Sequence, residues 1–192
     1  MESYKELMRI ISGTFKGKSI SFLKSKTTRP LKDSVRENIF NIINHSNLLN
    51  IKLINTNVLD LYSGTGAFGI ECISRGAKKS TFVEKNSNAI EILKKNLFEL
   101  SIEKKSLVIQ DEIKKFLNKK KLEKFDVMFL DPPFAENRYI EVLELIKKNK
   151  IYSQDYIIII HRENKTVDNF NGIFKPLLIK KYGRSKIIFG RF

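Results

Sequence analysis

The sequence has little cysteine and little histidine. Its 192 residues include one cysteine, Cys72, and two histidines, His45 and His161. A single thiol excludes a disulfide framework and a thiolate metal cluster, and we expect Cys72 to pack in the core. Neither histidine has a carboxylate, cysteine or histidine at ligand spacing, so we expect no metal site.

Long apolar segments are also absent. The longest run, Tyr156–Ile160, is far shorter than the roughly 20 residues that a membrane-spanning helix needs. The first residues, Met1–Gly13, alternate charged and apolar side chains and lack the apolar centre of a signal peptide. No internal repeat, low-complexity block or linker divides the chain. We therefore expect a soluble cytoplasmic protein without a membrane partner, and we take a monomer as its expected state.

Positive charge is in clear excess. The chain has 36 Lys and Arg residues against 21 Asp and Glu, a formal net charge of +15 at pH 7. Six basic and no acidic residues follow Asp168. Such a field attracts polyanions, so nucleic acid is the first partner to consider. A lysine-rich chain that is also rich in Asn and Ile can instead reflect genomic base composition, and the charge alone leaves both interpretations open.

The N-terminal residues predict a β-hairpin. Strand-like runs at Arg9–Ser12 and Lys18–Phe22 are separated by Gly13 and Gly17, which are typical of a turn. We expect residues 1–30 to form an N-terminal extension with this basic hairpin.

Beyond residue 30 the pattern changes. Short apolar runs alternate with longer helical patterns, which is typical of an α/β fold with a mainly parallel, doubly wound sheet. The tail, residues 174–189, predicts two final strands around a turn, the last of them antiparallel. We expect residues 31–192 to form one domain. The predicted core strands are Val58–Tyr62, Thr81–Glu84, Leu107–Ile109, Val127–Leu130 and Tyr156–Ile160.

A glycine-rich loop follows the first core strand. Within Asp60–Gly69, the residues Gly64, Gly66 and Gly69 satisfy the pattern G-x-G-x-x-G. Glycines permit a tight turn and the close approach of a ligand to backbone N–H groups at a helix N-terminus. Glu84 ends the next strand, where its carboxylate can accept hydrogen bonds from both ribose hydroxyls. The pattern alone fits a dinucleotide, S-adenosylmethionine, or glycines that only turn a strand into a helix.

Two features narrow the choice of cofactor. Gly69 is followed by Ile70 and Glu71 rather than by Lys and Ser or Thr, which excludes a phosphate-binding P-loop. The carboxylate of Asp60 at the mouth of the loop would repel a pyrophosphate. S-adenosylmethionine has no phosphate and carries a sulfonium and an ammonium, so an acidic loop favours it.

A second motif, Asp131-Pro132-Pro133-Phe134, follows the buried strand run Phe125–Leu130. Two prolines fix the backbone and leave carbonyl groups that can only accept hydrogen bonds. The Asp131 side chain and the Pro132 carbonyl could therefore grip an NH2 group and aim its lone pair at an incoming methyl group. Phe134 would supply a face on which a planar base stacks. A rigid strand-end turn is the structural alternative.

Together these motifs resemble the class I, S-adenosylmethionine-dependent amino-methyltransferases, whose domain is Rossmann-like. The segments Met8–Gly13, Arg29–Pro30 and Asp33–Phe40 also resemble one branch, the small-subunit (16S) ribosomal RNA guanine-N2 methyltransferases of the RsmD type. The resemblance implies catalytic roles for Asp131, Pro132, Pro133 and Phe134. It implies cofactor contacts with Asp60, Tyr62, Ser63, Gly64, Gly66, Glu84, Lys85 and Asp111.

The implied function is transfer of a methyl group from S-adenosylmethionine to the N2 amine of a guanine. The implied partner is ribosomal RNA or a small-subunit assembly particle. A DNA adenine-N6 methyltransferase shares almost the same motif, but the chain lacks room for a separate DNA-recognition domain. A dinucleotide-binding oxidoreductase and a catalytically idle RNA-binding module are further alternatives. The residues expected to contact RNA are Lys16, Lys18, Lys24, Lys26, Arg29 and Arg36.

Overall fold

The computed structural model describes residues 5–23, 31–49, 51–133 and 139–192. Its strands are β1 (Lys5–Arg9), β2 (Ser19–Leu23), β3 (Asn57–Leu61), β4 (Lys79–Glu84), β5 (Ser106–Gln110), β6 (Phe125–Leu130), β7 (Tyr152–Glu163), β8 (Lys175–Tyr182) and β9 (Ser185–Arg191). Its helices are α1 (Asp33–His45), α2 (Ala67–Ser74), α3 (Ser87–Glu99), α4 (Ile113–Leu117) and α5 (Tyr139–Asn149). No helix in these ranges combines the length and the apolar character that a bilayer crossing demands.

The predicted α/β architecture is confirmed. Seven strands form one sheet in the order β5-β4-β3-β6-β7-β9-β8, and β1 pairs with β2 in a separate antiparallel hairpin. The five strands from β5 to β7 are parallel to one another. Strand β9 is antiparallel to both of its neighbours, β7 and β8, so the last strand is the reversed one, as the sequence predicts.

Helices cover both faces of the sheet. Successive residues of a strand point to opposite faces, so each central strand packs against helices on both sides. On one face, residues of β3 and β6 pack with α4 and α5. On the other face, the alternate residues of the same strands pack with α1 and α2, where Cys72 is fully buried. The sheet is therefore buried on both sides, as parallel sheets require.

The hairpin packs on α3 and shares its apolar core. Met8, Ile10, Ile20 and Phe22 form a buried cluster with side chains of α2, β4 and α3. The fully buried Asn96 of α3 adds polar contacts. Its Oδ1 accepts from the backbone N–H of Ser21 at 2.8 Å, and its Nδ2 donates to the carbonyl oxygens of Ser21 at 2.9 Å and Thr65 at 3.1 Å. One side chain thus joins the hairpin, α3 and the glycine-rich loop.

The hairpin turn is held by the end of α2. The buried carboxylate of Glu71 accepts from the backbone N–H groups of Ile11 at 2.9 Å and Ser12 at 3.0 Å. Gly13 has φ +83°, and a Cβ there would lie 1.9 Å from the carbonyl oxygen of Ser74. The predicted hairpin is confirmed, but its first strand ends at Arg9. Ile11 and Ser12 lie outside the strand because their N–H groups bind a helix.

Candidate functional site

The parallel register brings the predicted site residues to one edge of the sheet. Leu61 of β3 lies opposite Val83 of β4 and Leu130 of β6. Three strands therefore end at nearly the same level, and the residues that follow them converge at the carboxyl edge. Ligands of open α/β sheets bind at this edge.

A cavity of about 600 Å³ lies at this edge. This volume is within the range of small-molecule sites. The cavity is continuous from the glycine-rich loop to the Asp-Pro-Pro turn. Phe134 lies outside the described residues. The predicted residues that line the cavity are Asp60, Tyr62, Ser63, Gly64, Glu84, Lys85, Asp111, Asp131, Pro132 and Pro133.

Gly66 and Gly69 shape the loop from behind the cavity. Gly66 has φ +88°, and a Cβ there would lie 2.4 Å from Cδ1 of Leu93. A Cβ on Gly69 would lie 2.3 Å from the ring of Phe82. These two glycines allow α2 to pack closely on α3 and β4, and this packing fixes the start of the helix at the cavity. Gly64 differs from them, because a Cβ there would meet no atom within 4 Å.

Glu84 binds the glycine-rich loop and can still accept a hydrogen bond from a ligand. One carboxylate oxygen, Oε2, accepts from the backbone N–H of Gly64 at 2.9 Å. The other, Oε1, accepts from the backbone N–H groups of Lys85 and Asn86, both at 2.9 Å. An ionised carboxylate offers about four lone-pair sites, so roughly one is left for a hydroxyl donor from a ligand.

Ser63 presents a second polar group to a ligand. The residue is 9% exposed, and its Oγ has no hydrogen-bond partner among the described residues. A buried hydroxyl without a partner is costly unless a bound molecule satisfies it. Because Ser63 lines the cavity, its hydroxyl is available to a polar nucleoside or amino-acid group.

Asp60 is buried beneath the loop. It is 1% exposed, and its Oδ2 accepts from the backbone N–H of Gly69 at 3.0 Å. Burial, the largest cause, and the nearby charges of Asp131 and Glu84 together raise its pKa from 3.8 to about 8, against the lowering effect of the Gly69 hydrogen bond. At neutral pH Asp60 therefore contributes little negative charge to the cavity.

The cavity remains acidic without Asp60. Besides Glu84 and Asp131, it is lined by Asp111 and Glu112, with Lys85 and Lys114 as the basic lining residues in the described part of the chain. The Lys119 ammonium, 2.8 Å from Asp111, lowers the pKa of that carboxyl by hydrogen bonding. An acidic lining suits a sulfonium and disfavours a pyrophosphate.

Asp131 follows β6 directly, and its side chain is 30% exposed. Its Oδ1 lies 2.8 Å from Nδ1 of His161, the residue that β7 places beside it. Pro132 is buried and Pro133 is exposed. His161 directly follows the apolar run Tyr156–Ile160, but the sequence contains no signal for its contact with Asp131, because the two residues are 30 positions apart.

The hairpin side of the cavity was also not predicted. Met8, Phe22, Leu23 and Leu31 line it, together with Phe129 of β6. An apolar residue in a short hairpin carries no local signal that distinguishes a ligand contact from a core contact.

The predicted RNA-binding residues fall into three groups. Lys16 and Lys18 are exposed on the hairpin turn. Arg36 is fully buried, pairs with Asp33 at 3.0 Å and donates to the carbonyl oxygen of Arg9. It ties α1 to β1, so the expectation that it contacts RNA is wrong. Lys24, Lys26 and Arg29 lie outside the described residues.

Known proteins resemble this chain over most of its length. The family described as Conserved hypothetical protein 95 matches residues 8–191. The chain is 36% identical over 184 residues to Ribosomal RNA small subunit methyltransferase D of Buchnera aphidicola subsp. Baizongia pistaciae, which covers 94% of this chain and 88% of that protein. The protein of the same name from Haemophilus influenzae is 33% identical and covers 81% of this chain and 79% of its own length.

A solved structure shares the fold. "Putative methyltransferase yhhF from Escherichia coli" superposes with a TM-score of 0.79 at 26% identity, and the match covers 97% of this chain and 98% of that chain.

The raised pKa of Asp60 predicts that the free energy of unfolding depends on pH. Between pH 4 and 8 the folded protein holds a proton that the unfolded chain releases, so stability falls as pH rises, by at most about 1.4 kcal/mol per pH unit. Asp60→Asn keeps an acceptor for Gly69 and removes this dependence. In urea unfolding measured between pH 5 and 9, the free energy of unfolding of the variant relative to the wild type should increase up to about pH 8 and then stay constant. A difference that stays constant with pH would show that Asp60 is not protonated in the folded state.

Proposed function

The chain belongs to the family described as Conserved hypothetical protein 95, and from this membership we propose that it is an S-adenosylmethionine-dependent methyltransferase of small-subunit ribosomal RNA. The observation that carries the proposal is a single cavity with Glu84 and the glycine-rich loop at one end and Asp131 at the other. We propose that it acts as a monomer, since one chain contributes both ends of this cavity. Its relatives' names support RNA rather than DNA as the substrate.

The residues at the loop end fit this cofactor. The spare acceptor capacity of Glu84 suits a ribose hydroxyl, and the unpartnered hydroxyl of Ser63 suits a further polar group. The carboxylates of Glu84, Asp111 and Asp131 attract a cation. When bound, S-adenosylmethionine supplies an electrophilic methyl group on a sulfonium. Repulsion by the same carboxylates disfavours the pyrophosphate of NAD, which argues against an oxidoreductase.

The residues at the other end fit an amine acceptor. Asp131 and the carbonyl of Pro132 can accept the two hydrogens of an exocyclic amine, and neither proline following Asp131 offers a competing backbone N–H. Holding both hydrogens directs the lone pair of the nitrogen out of the base plane. After transfer the amine is acidic, so its proton can pass to Asp131 or water without a strong base.

We propose the N2 amine of a guanine as the acceptor, following the resemblance in the sequence. A guanine amine is paired or stacked inside a helix, so the base must be splayed out or flipped to reach the cavity. We propose that Phe134 stacks on it and that residues 1–30 extend the contact with RNA, while residues 31–192 carry the chemistry.

Transfer of tritium from labelled S-adenosylmethionine tests the function. The purified chain is incubated with unmethylated 16S ribosomal RNA, with small-subunit particles and with DNA. Label on guanine N2 of RNA is the expected result. Label in DNA adenine would favour the DNA methyltransferase, and no label in any substrate would contradict the proposal.

Glu84 should contribute to cofactor affinity. Glu84→Ala should weaken binding of S-adenosylhomocysteine by about 1.5–3 kcal/mol, because a charge-assisted acceptor is removed. Glu84→Gln keeps an acceptor and should lose less. Isothermal titration calorimetry measures both, with thermal unfolding as the control for the loop that Glu84 also holds. Undiminished affinity in the alanine variant, or NAD binding by the wild type, would contradict the assignment.

Asp131 should be needed for transfer and not for cofactor binding. Asp131→Ala should abolish single-turnover methylation and leave S-adenosylhomocysteine affinity nearly unchanged. Asp131→Asn should keep part of the rate, because its one amide oxygen can accept from the amine or from His161 but not from both. The matched control is Asp155→Ala, an exposed carboxylate near the other end of β7. Full activity in a stable Asp131→Ala protein would remove the residue from the mechanism.

The exposed lysines of the hairpin turn should bind RNA phosphates. Lys16→Glu with Lys18→Glu should weaken RNA binding and flatten its dependence on salt by about 0.7–0.9 log units for each phosphate that is no longer neutralised. Lys104→Glu with Lys148→Glu is the control, since both residues are exposed near the ends of β5 and β7 that lie away from the cavity. Binding is measured by filter retention at several salt concentrations. An unchanged slope in the hairpin variant would mean that the turn does not touch RNA.

A further inference from the structure

The carboxylate of Asp131 lacks the usual local support. Aspartate side chains in turns commonly accept a hydrogen bond from the backbone N–H two residues ahead. Here both following residues are prolines, which have no N–H. The backbone N–H of Asp131 itself is directed to the carbonyl oxygen of Leu61 at 3.4 Å. The orientation of this carboxylate must therefore be set by another part of the chain.

His161 is placed to set it. β7 runs parallel to β6 with Ile160 opposite Leu130, so the next residues, His161 and Asp131, lie side by side. The imidazole Nδ1 is 2.8 Å from Oδ1 of Asp131, and the histidine is 3% exposed. Among the described residues, Oδ2 of Asp131 has no hydrogen-bond partner.

The ring is held at both nitrogens. Its Nε2 lies 2.9 Å from Oγ of Ser185, the first residue of β9. An ionised carboxylate can only accept, so Nδ1 carries the proton and donates to Asp131. In this Nδ1–H tautomer, Nε2 accepts from the Ser185 hydroxyl. These two contacts fix both the tautomer and the orientation of the imidazole.

Contacts to one buried carboxylate, that of Asp168, join the residues around His161. The next residue, Arg162, is fully buried and pairs with Asp168 at 3.1 Å. Lys186, which follows Ser185, also pairs with Asp168. Tyr139 at the start of α5 donates to the same carboxylate at 2.7 Å. The strand ends that carry His161 and Ser185 are thus tied to each other and to α5.

We propose that His161 is a positioning residue for Asp131: it binds Oδ1, so that Oδ2 is aimed at the amine of the base. The inference rests on the proposed function, because it assigns Asp131 the role of acceptor. Without the imidazole, the Asp131 side chain can rotate, and the amine is no longer held in the orientation needed for attack. The loss is expected in the rate of transfer rather than in cofactor affinity.

Two amide substitutions separate positioning from packing. The Nδ2 of His161→Asn can take the place of Nδ1 and donate to Asp131. The Nε2 of His161→Gln can take the place of the other ring nitrogen and reach Ser185 instead. The two variants are similar in polarity, so they differ mainly in which neighbour they can bind.

Single-turnover methylation at saturating RNA and cofactor is the decisive measurement. His161→Asn should retain the rate within about threefold, whereas His161→Gln and His161→Leu should lose at least about tenfold, as expected when a reacting group is misplaced. Affinity for S-adenosylhomocysteine should be unchanged in all three. His45→Asn and His45→Gln, on the exposed end of α1, are the matched controls and should leave the rate unchanged.

Equal losses in the asparagine and glutamine variants, or losses confined to thermal stability and cofactor affinity, would overturn the inference. A second readout does not depend on the substrate. Nitrogen-15 NMR of the full chain should find the His161 proton fixed on Nδ1 in the wild type and shared between both nitrogens in Asp131→Ala. A tautomer insensitive to Asp131 would also overturn it. If this signature is present but no RNA is methylated, the proposed function fails while the contact stands.

Discussion

The parallel register of β3 with β4 and β6 is the constraint on which the site depends. It places Leu61 level with Val83 and Leu130, so the residues after these strands meet at one edge. A slip of one residue would turn every side chain of a strand to the other face of the sheet. Because both faces are buried under helices, such a slip would place polar groups such as Asp60 among the wrong neighbours. The same packing that stabilises the sheet therefore fixes the positions of Glu84 and Asp131.

The second requirement is a loop that turns within a few residues while α2 packs closely behind it. Glycine is needed at both positions, because a side chain on Gly66 would collide with Leu93 and a side chain on Gly69 would collide with Phe82. Asn96 then binds Thr65 on one side and Ser21 of the hairpin on the other. The hairpin is consequently a wall of the cavity as well as a basic extension.

Most of the fold and many of the cavity residues could be predicted from local sequence patterns. Alternating apolar runs indicated the sheet, and the glycine spacing and the Asp-Pro-Pro sequence indicated residues that line the cavity, since each signal lies within a few consecutive residues. The contact of Asp131 with His161 and the burial of Arg36 could not be predicted in this way. They depend on which strands are neighbours and on how α1 meets β1, and no short segment of the sequence contains that information. Arg36 in particular lies among polar residues whose helical spacing predicts an exposed helix face.

The three carboxylates Asp60, Glu84 and Asp131 have the same chemical group but different surroundings in the structure. Asp60 is enclosed, burial favours its neutral form, and it connects β3 to the first turn of α2 by accepting from the backbone N–H of Gly69. Glu84 is held by three backbone N–H groups, which fix the orientation of its carboxylate. Asp131 lines the cavity and contacts the imidazole of His161 through one of its two oxygens. The two prolines after Asp131 remove the usual backbone donors of the turn, and the neighbouring strand β7 places His161 within 2.8 Å of the carboxylate instead.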